Sequence, residues 1–281
     1  MSKDLKHQSN VENVNLDVSA MNVTGLESSD PNEHVMSKEE IDSVDRVVPG
    51  SKWEFDESVA KCFNNMLERS IPGYTDMRGL CYELGKKFVR QGSSIVDLGA
   101  SRGEALRPFI ENHYDQVNFF VGLEVSEPMR NEMISEFGHL DKVQVRDYDL
   151  RTINSLDFTV HRENNDLVLS VLTLLFTPIQ YRSKIIKNVY DMLSPGGAFI
   201  VVEKVLGGCC ETDDLLVDAY YELKAANGYT PDDIQRKKAS LEGVQVPLTH
   251  DANVELLKAE GFSKVEGFYR NLNFAGWIAI K

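Results

Sequence analysis

No stretch of this 281-residue chain approaches the ~20 consecutive apolar residues that a membrane-crossing helix needs, so no membrane span is expected. The first ten residues, MSKDLKHQSN, lack the apolar core of a secretory signal, which makes the cytoplasm the expected compartment. Cysteine is scarce. Cys62, Cys81, Cys209 and Cys210 form no CxxC pair, and the six histidines are scattered. Neither a disulfide framework nor a structural metal site is expected from that set. A basic excess is also missing. Thirty Lys and Arg against 44 Asp and Glu leave a net charge of −14, the wrong sign for gripping a phosphate backbone, so direct nucleic-acid binding is not expected. No internal repeat is present.

Aromatic residues are absent from residues 1–50, where ten acids against four bases give −6 of the total charge. That composition predicts a disordered acidic extension over 1–50 and a globular domain over 51–281. Within the extension, Val14, Leu16 and Val18 alternate with Asn15 and Asp17. This is strand period, which chance alternation in a tail accounts for first and an arm that adds a strand to a partner's sheet edge second.

From Trp53 onward hydrophobic residues recur with regular spacing. Phe55, Val59, Phe63, Met66 and Leu67 predict a helix that Ile71-Pro72-Gly73-Tyr74 terminates, and a second helix is expected over 76–89. Short apolar runs then alternate with helical segments. Strands are expected at 94–99, 119–125, 143–145, 166–175, 198–202, 263–269 and 274–280. Helices are expected at 102–110, 129–137, 181–193 and 254–259, with a polar helical insertion over 211–243. This order predicts an α/β fold with a seven-stranded, mostly parallel sheet flanked by helices, an antiparallel C-terminal hairpin and a helical lid.

The first strand ends in Val96-Asp97-Leu98-Gly99-Ala100-Ser101-Arg102-Gly103. Small residues at a strand-to-helix turn let a ligand approach the backbone, and ligands bind beyond the carboxyl ends of strands in such sheets. The spacing is GxxxG, neither the dinucleotide GxGxxG nor a phosphate loop with its lysine. Glu124 ends the second strand, 25 positions after Gly99, where a carboxylate can accept both hydroxyls of a ribose. Asp147-Tyr148-Asp149-Leu150 follows the third strand, where an acid and an amide can read an adenine edge or merely form an acidic turn.

With these elements in order, the globular part resembles class I (Rossmann-like) SAM-dependent methyltransferases. Within them it is most similar to the carboxy-S-adenosylmethionine synthases of the tRNA wobble-uridine pathway. The likeness rests on Phe55-Asp56-Glu57, on Met66 to Tyr74 (MLERSIPGY), on Asp97 to Ser101, on Lys224 to Tyr229 (KAANGY) followed by Leu241-Glu242, and on Asn273-Phe274. The resemblance implies S-adenosyl-L-methionine or its carboxylated derivative as cofactor, a small-molecule substrate and a homodimer. It assigns cofactor contacts to Tyr74, to Asp97 in the loop strand, to Gly99, Ala100 and Ser101, to Glu124 with Val125, to Asp149 with Leu150, and to Ser170. It also places Lys238, beside Arg236, where the family delivers an arginine from the neighbouring subunit to the extra carboxylate. Glu124 stands for the family's aspartate, and Val125 and Ser170 stand for asparagines.

No motif names a catalytic base. Tyr74, Tyr220 and Tyr229 are candidates to line an acceptor pocket. The expected function is SAM-dependent methyl transfer to an unidentified acceptor, with carboxy-SAM synthesis from SAM and prephenate, and a non-catalytic scaffold, as the alternatives.

Overall fold

The computed structural model describes residues 44–152 and 165–281, all within one compact unit. The alternating segment Val14 to Val18 lies outside the described residues. Helix α1 (Glu57–Ser70) starts where the Asp56 carboxylate accepts the Val59 amide at 3.0 Å, a capping bond that satisfies one of the helix's free donors. It ends at Pro72-Gly73, and Gly73 in the left-handed region turns the chain into α2 (Tyr74–Gly85). Then come β1 (Ser93–Leu98), α3 (Arg107–His113), β2 (Val117–Glu124), α4 (Glu127–Phe137) and β3 (Val143–Asp147). The second half holds β4 (Asn165–Val171), α5 (Ile179–Met192), β5 (Ala198–Leu206), α6 (Cys210–Ala226), α7 (Pro231–Leu241), β6 (Leu248–Thr249), α8 (His250–Ala259), β7 (Lys264–Asn271) and β8 (Phe274–Ile280).

The sheet runs β3-β2-β1-β4-β5-β8-β7, parallel from β3 to β5, with β8 antiparallel to both its neighbours. Eight strands are therefore present among the described residues where seven were expected. The eighth, β6, is a two-residue pairing with Val205 and Leu206, too short to leave a period in the sequence. Alternate residues of β1 face opposite cores. Val96 and Leu98 pack with α5 and Trp277, while Ile95 packs with Leu106, Phe109 and Phe120. Both faces are covered, which is why the central strands read as continuous apolar runs.

Two helical boundaries differ from the sequence expectation in ways that matter. The helix after the glycine loop begins at Arg107, five residues later than expected. Gly103 sits at φ +87° and its amide returns to the Ala100 carbonyl at 2.7 Å, so a turn replaces the first helical turn. The polar insertion is two helices, α6 and α7, separated by Gly228 at φ +86° and restarted by a reciprocal cap between Thr230 and Asp233. Residues 44–50, expected to lie in the extension, include the buried Asp45, which is bonded to α1, to Tyr229 and to α7.

Candidate functional site

A cavity of about 670 Å³ opens over the carboxyl ends of β1, β2, β4 and β5 and is closed above by α1, α6 and α7. Gly99 forms its floor at φ +69°. A Cβ there would overlap the Thr173 side chain, so both backbone conformation and space demand glycine. The amides of Gly99 and Ala100 donate to the Leu123 carbonyl at 2.8 and 3.0 Å, and the Ser101 amide donates to Glu124 Oε2 at 2.9 Å. These amides are thus committed, and α3 starts too late to supply others. The loop offers close approach of backbone, not the free helix-terminal donors that its sequence position suggests.

Glu124 is buried and also accepts the Ser126 amide at 2.8 Å through Oε1. Burial raises its carboxyl above the usual range, opposed by those two amides. Each oxygen keeps acceptor capacity for a further hydroxyl. Arg130 braces this corner: it donates to the carbonyls of Glu124 and Val125 at 3.0 and 2.7 Å and to Asp147 at 3.0 Å. Val125 is exposed and, with Leu150, gives the cavity an apolar edge beside Glu124. Asp149 also lines the cavity, but its carboxylate is engaged by the Arg151 guanidinium, which holds it below the usual range. A base edge at this position would meet Asp149 together with Arg151, which sequence reasoning did not single out.

Beneath the loop lie Asp97 and Glu104, both buried and both raised by burial; Arg78 opposes the shift in each. Arg78 also donates to the Tyr74 hydroxyl at 3.1 Å, and burial pushes that phenol up to about 12. The same cavity also has a group of lysines in its lining. Lys204 on β5, Lys224 on α6 and Lys237 on α7 line it with Tyr220 and Trp53.

The structure brings together Tyr74, Asp97, Gly99, Ala100, Ser101, Glu124, Val125, Asp149 and Leu150 around this cavity. Ser170 is a correction. It lies in β4 between β1 and β5, is fully buried, and does not line the cavity; Val171, Leu172 and Thr173 do. Arg236 and Lys238 are exposed and outside the lining, because the face of α7 that turns inward carries Ile234, Lys237 and Leu241. The spacing i, i+3, i+7 would have selected Lys237 from the basic triplet. Tyr220 lines the cavity, whereas Tyr229 sits behind it with its hydroxyl between Ser70 and Asp45. Glu203 and Arg182, two buried charges with no sequence signal, hold the chain segment around Thr173. Glu203 accepts the Leu174 amide at 3.0 Å, and burial lifts it to about 8 despite Arg182. Among the described residues there is no His/Cys/Asp/Glu group able to hold a metal. No helix there is long and apolar enough to cross a membrane.

Gly99→Val is expected to abolish cofactor binding at micromolar concentrations and to lower the melting temperature by several degrees, from strain and overlap costing roughly 3 kcal/mol. Calorimetry with SAM and thermal unfolding read the two effects separately.

A methyltransferase-domain family model matches residues 96–201, the stretch from β1 to the middle of β5. A carboxy-S-adenosyl-L-methionine synthase from Staphylococcus epidermidis is 32% identical over 231 residues, covering 82% of this chain and 97% of the relative. One of the same name from Methylococcus capsulatus is 34% identical over 230 residues, covering 81% and 93%. An O-methyltransferase family protein from Burkholderia thailandensis superposes with a TM-score of 0.56 at 15% identity, over 80% of this chain and 60% of that one, a likeness of fold.

Proposed function

Because the chain belongs to the carboxy-S-adenosyl-L-methionine synthase family, a branch of the SAM-dependent methyltransferases, we propose that it converts SAM to carboxy-SAM, with prephenate as the carboxyl donor. The observation that carries this reading is the presence of a group of acids and a group of lysines in the lining of one cavity. Asp97, Glu104 and Glu124 surround the glycine loop, and Lys204, Lys224 and Lys237 line the same space. SAM is cationic at its sulfonium, and when bound it supplies an activated sulfonium carbon. Glu124 holds the ribose hydroxyls, Val125 and Leu150 flank the base, and Asp97 with Glu104 favours the positive charge. Cations in the same lining favour a carboxylate beside that carbon. Lys237 is paired with Asp45, but a methyl acceptor that is neutral or cationic has no use for the two remaining lysines.

The chain's own contribution is binding, orientation and exclusion of water. Trp53, Phe55 and Phe176 wall the cavity with apolar surface. Low-dielectric walls strengthen each charge contact inside. The reading includes a homodimer, in which the exposed Lys238 of one copy reaches the cavity mouth of the other. Light scattering at micromolar concentration should then report twice the mass of one chain.

Mass spectrometry of the bound nucleoside is the test. The purified protein, or protein incubated with SAM and prephenate, is expected to yield SAM heavier by one carboxylate. Recovery of SAM and its demethylated product alone would overturn the reading in favour of methyl transfer. Recovery of no nucleoside, with no SAM-dependent rise in melting temperature, would favour a scaffold.

A further inference from the structure

Lys224 is 4% exposed and Lys204 half-buried, yet neither has a carboxylate within ion-pair distance among the described residues. Lys237, the third cation of the cluster, is already neutralised by Asp45 at 2.9 Å. What surrounds the other two is aromatic. The Lys204 ammonium lies 4.7 Å from the Tyr220 ring centre, and that of Lys224 lies 5.6 Å from Tyr220 and 4.9 Å from Tyr229. Ring faces attract cations but carry no charge to balance them. A buried and a half-buried ammonium group on one cavity, neither with a carboxylate at ion-pair distance, are unfavourable through lost hydration and mutual repulsion. Burial drives Lys204 down to about 8, with Asp213 opposing and Lys238 adding. It drives Lys224 to about 7, with Lys237 and Lys204 adding and Asp45 and Asp233 opposing. An arrangement of this kind is relieved by an anion entering the cavity that both residues line.

We propose that Lys204 and Lys224 form an anion subsite for a dicarboxylate second substrate, distinct from the cradle that holds SAM and from the subunit-exchanged position of Lys238. The proposal rests on the reading above for the identity of the substrate, but not for the existence of the subsite. The pairing of charges supports the assignment. Lys237 is tied to Asp45 and stays fixed, so the two unpaired ammonium groups are those free to meet two carboxylates. Both lysines line the same cavity as the glycine loop and Glu124, so such a ligand would share that cavity with the cofactor. The two lysines reach the cavity from different elements, β5 and α6, so the subsite also couples the lid helix to the sheet.

The experiment is calorimetric titration of the full chain loaded with S-adenosylhomocysteine, which lacks the transferable methyl, with prephenate and separately with malonate. Wild type is expected to bind at least one of them. Lys204→Met and Lys224→Met should each weaken that binding at least tenfold, and Lys224→Arg should retain most of it. SAM affinity should stay within twofold of wild type in every variant. If either Met variant fails to fold, the Gln substitution at the same position is read instead. Malonate binding that depends on the lysines, with no prephenate binding, upholds the subsite and tells against the carboxy-SAM reading. Unchanged dicarboxylate affinity in both variants overturns the proposal. So does an equal loss of SAM affinity, which would assign the lysines to the methionine carboxylate, and so does failure of wild type to bind either acid.

Discussion

Lys237→Met is expected to destabilise the protein by roughly 3–5 kcal/mol, the cost of leaving a buried carboxylate without its counter-ion. Its partner Asp45 has a side chain only 2% exposed, and the lysine's is 9% exposed, so water cannot replace the lost charge. Asp45 also accepts the Tyr229 hydroxyl, and its amide donates to Asn65 at 3.0 Å, so the network joins the segment before α1 to α1 and α7. Burial alone would raise Asp45, but Lys237 and the Tyr229 hydroxyl overcome it and hold the carboxyl below the ordinary value. A group whose folded-state value is lowered contributes stability that is present above its unfolded value and is lost as pH falls through the folded one. The Asp45 contribution should therefore fade on acidification below the usual carboxylate range, and the Lys237→Met protein should lose that part of its acid sensitivity. Asp45→Asn combined with Lys237→Met should recover part of the loss, because the double variant carries no buried charge at the pair. Removal of residues 1–50 should cost as much as Asp45→Ala. Urea unfolding of the wild type, Asp45→Asn, Lys237→Met, their double variant, Asp45→Ala and the truncated protein measures these differences, and additive losses for Asp45→Asn and Lys237→Met would show that the pair is not coupled.

Glu124→Gln should weaken SAM binding roughly 100-fold, about 3 kcal/mol. The amide group of glutamine places a donor against the amide of either Ser101 or Ser126, both of which now donate to the carboxylate. The substitution thus removes a ribose acceptor and releases the loop at Ser101 together. Glu124→Asp keeps both acceptor oxygens and should lose less than tenfold. Proton linkage gives an independent check. Glu124, Asp97 and Glu104 are all raised in the ligand-free protein, chiefly by burial. A sulfonium cation and hydroxyl donors favour their ionised forms, so SAM binding releases protons and its affinity should fall as pH is lowered from neutrality. Glu124→Gln should flatten that dependence. An affinity for SAM that is independent of both Glu124 and pH would remove the ribose assignment.

The loop strand and the acid at the end of β2 were legible because each is a local pattern. Gly99, Ala100 and Ser101 are adjacent in sequence, and Glu124 ends a short apolar run that forms β2. Ser170 was not placed correctly, because whether a strand residue faces a cavity or a neighbouring strand depends on which strands flank it. Lys204 carried no signal of its own, and Lys224 entered only as part of the KAANGY string, with no role attached. One ends a strand and the other sits on a polar helix, and each alone reads as an ordinary surface lysine.

The order of strands and helices, the place of the glycine turn and the acid that follows it can be read along the chain, since these depend on periodicity and on residues near one another. The charge of the cavity arises only on folding. Asp45, Lys204, Lys224 and Lys237 are up to 192 residues apart and converge through the packing of α1, α6 and α7 over the sheet. That packing also decided that Lys237 points inward while Lys238 points out, a difference of about 100° in helical phase that fixes which of two neighbouring lysines loses its water.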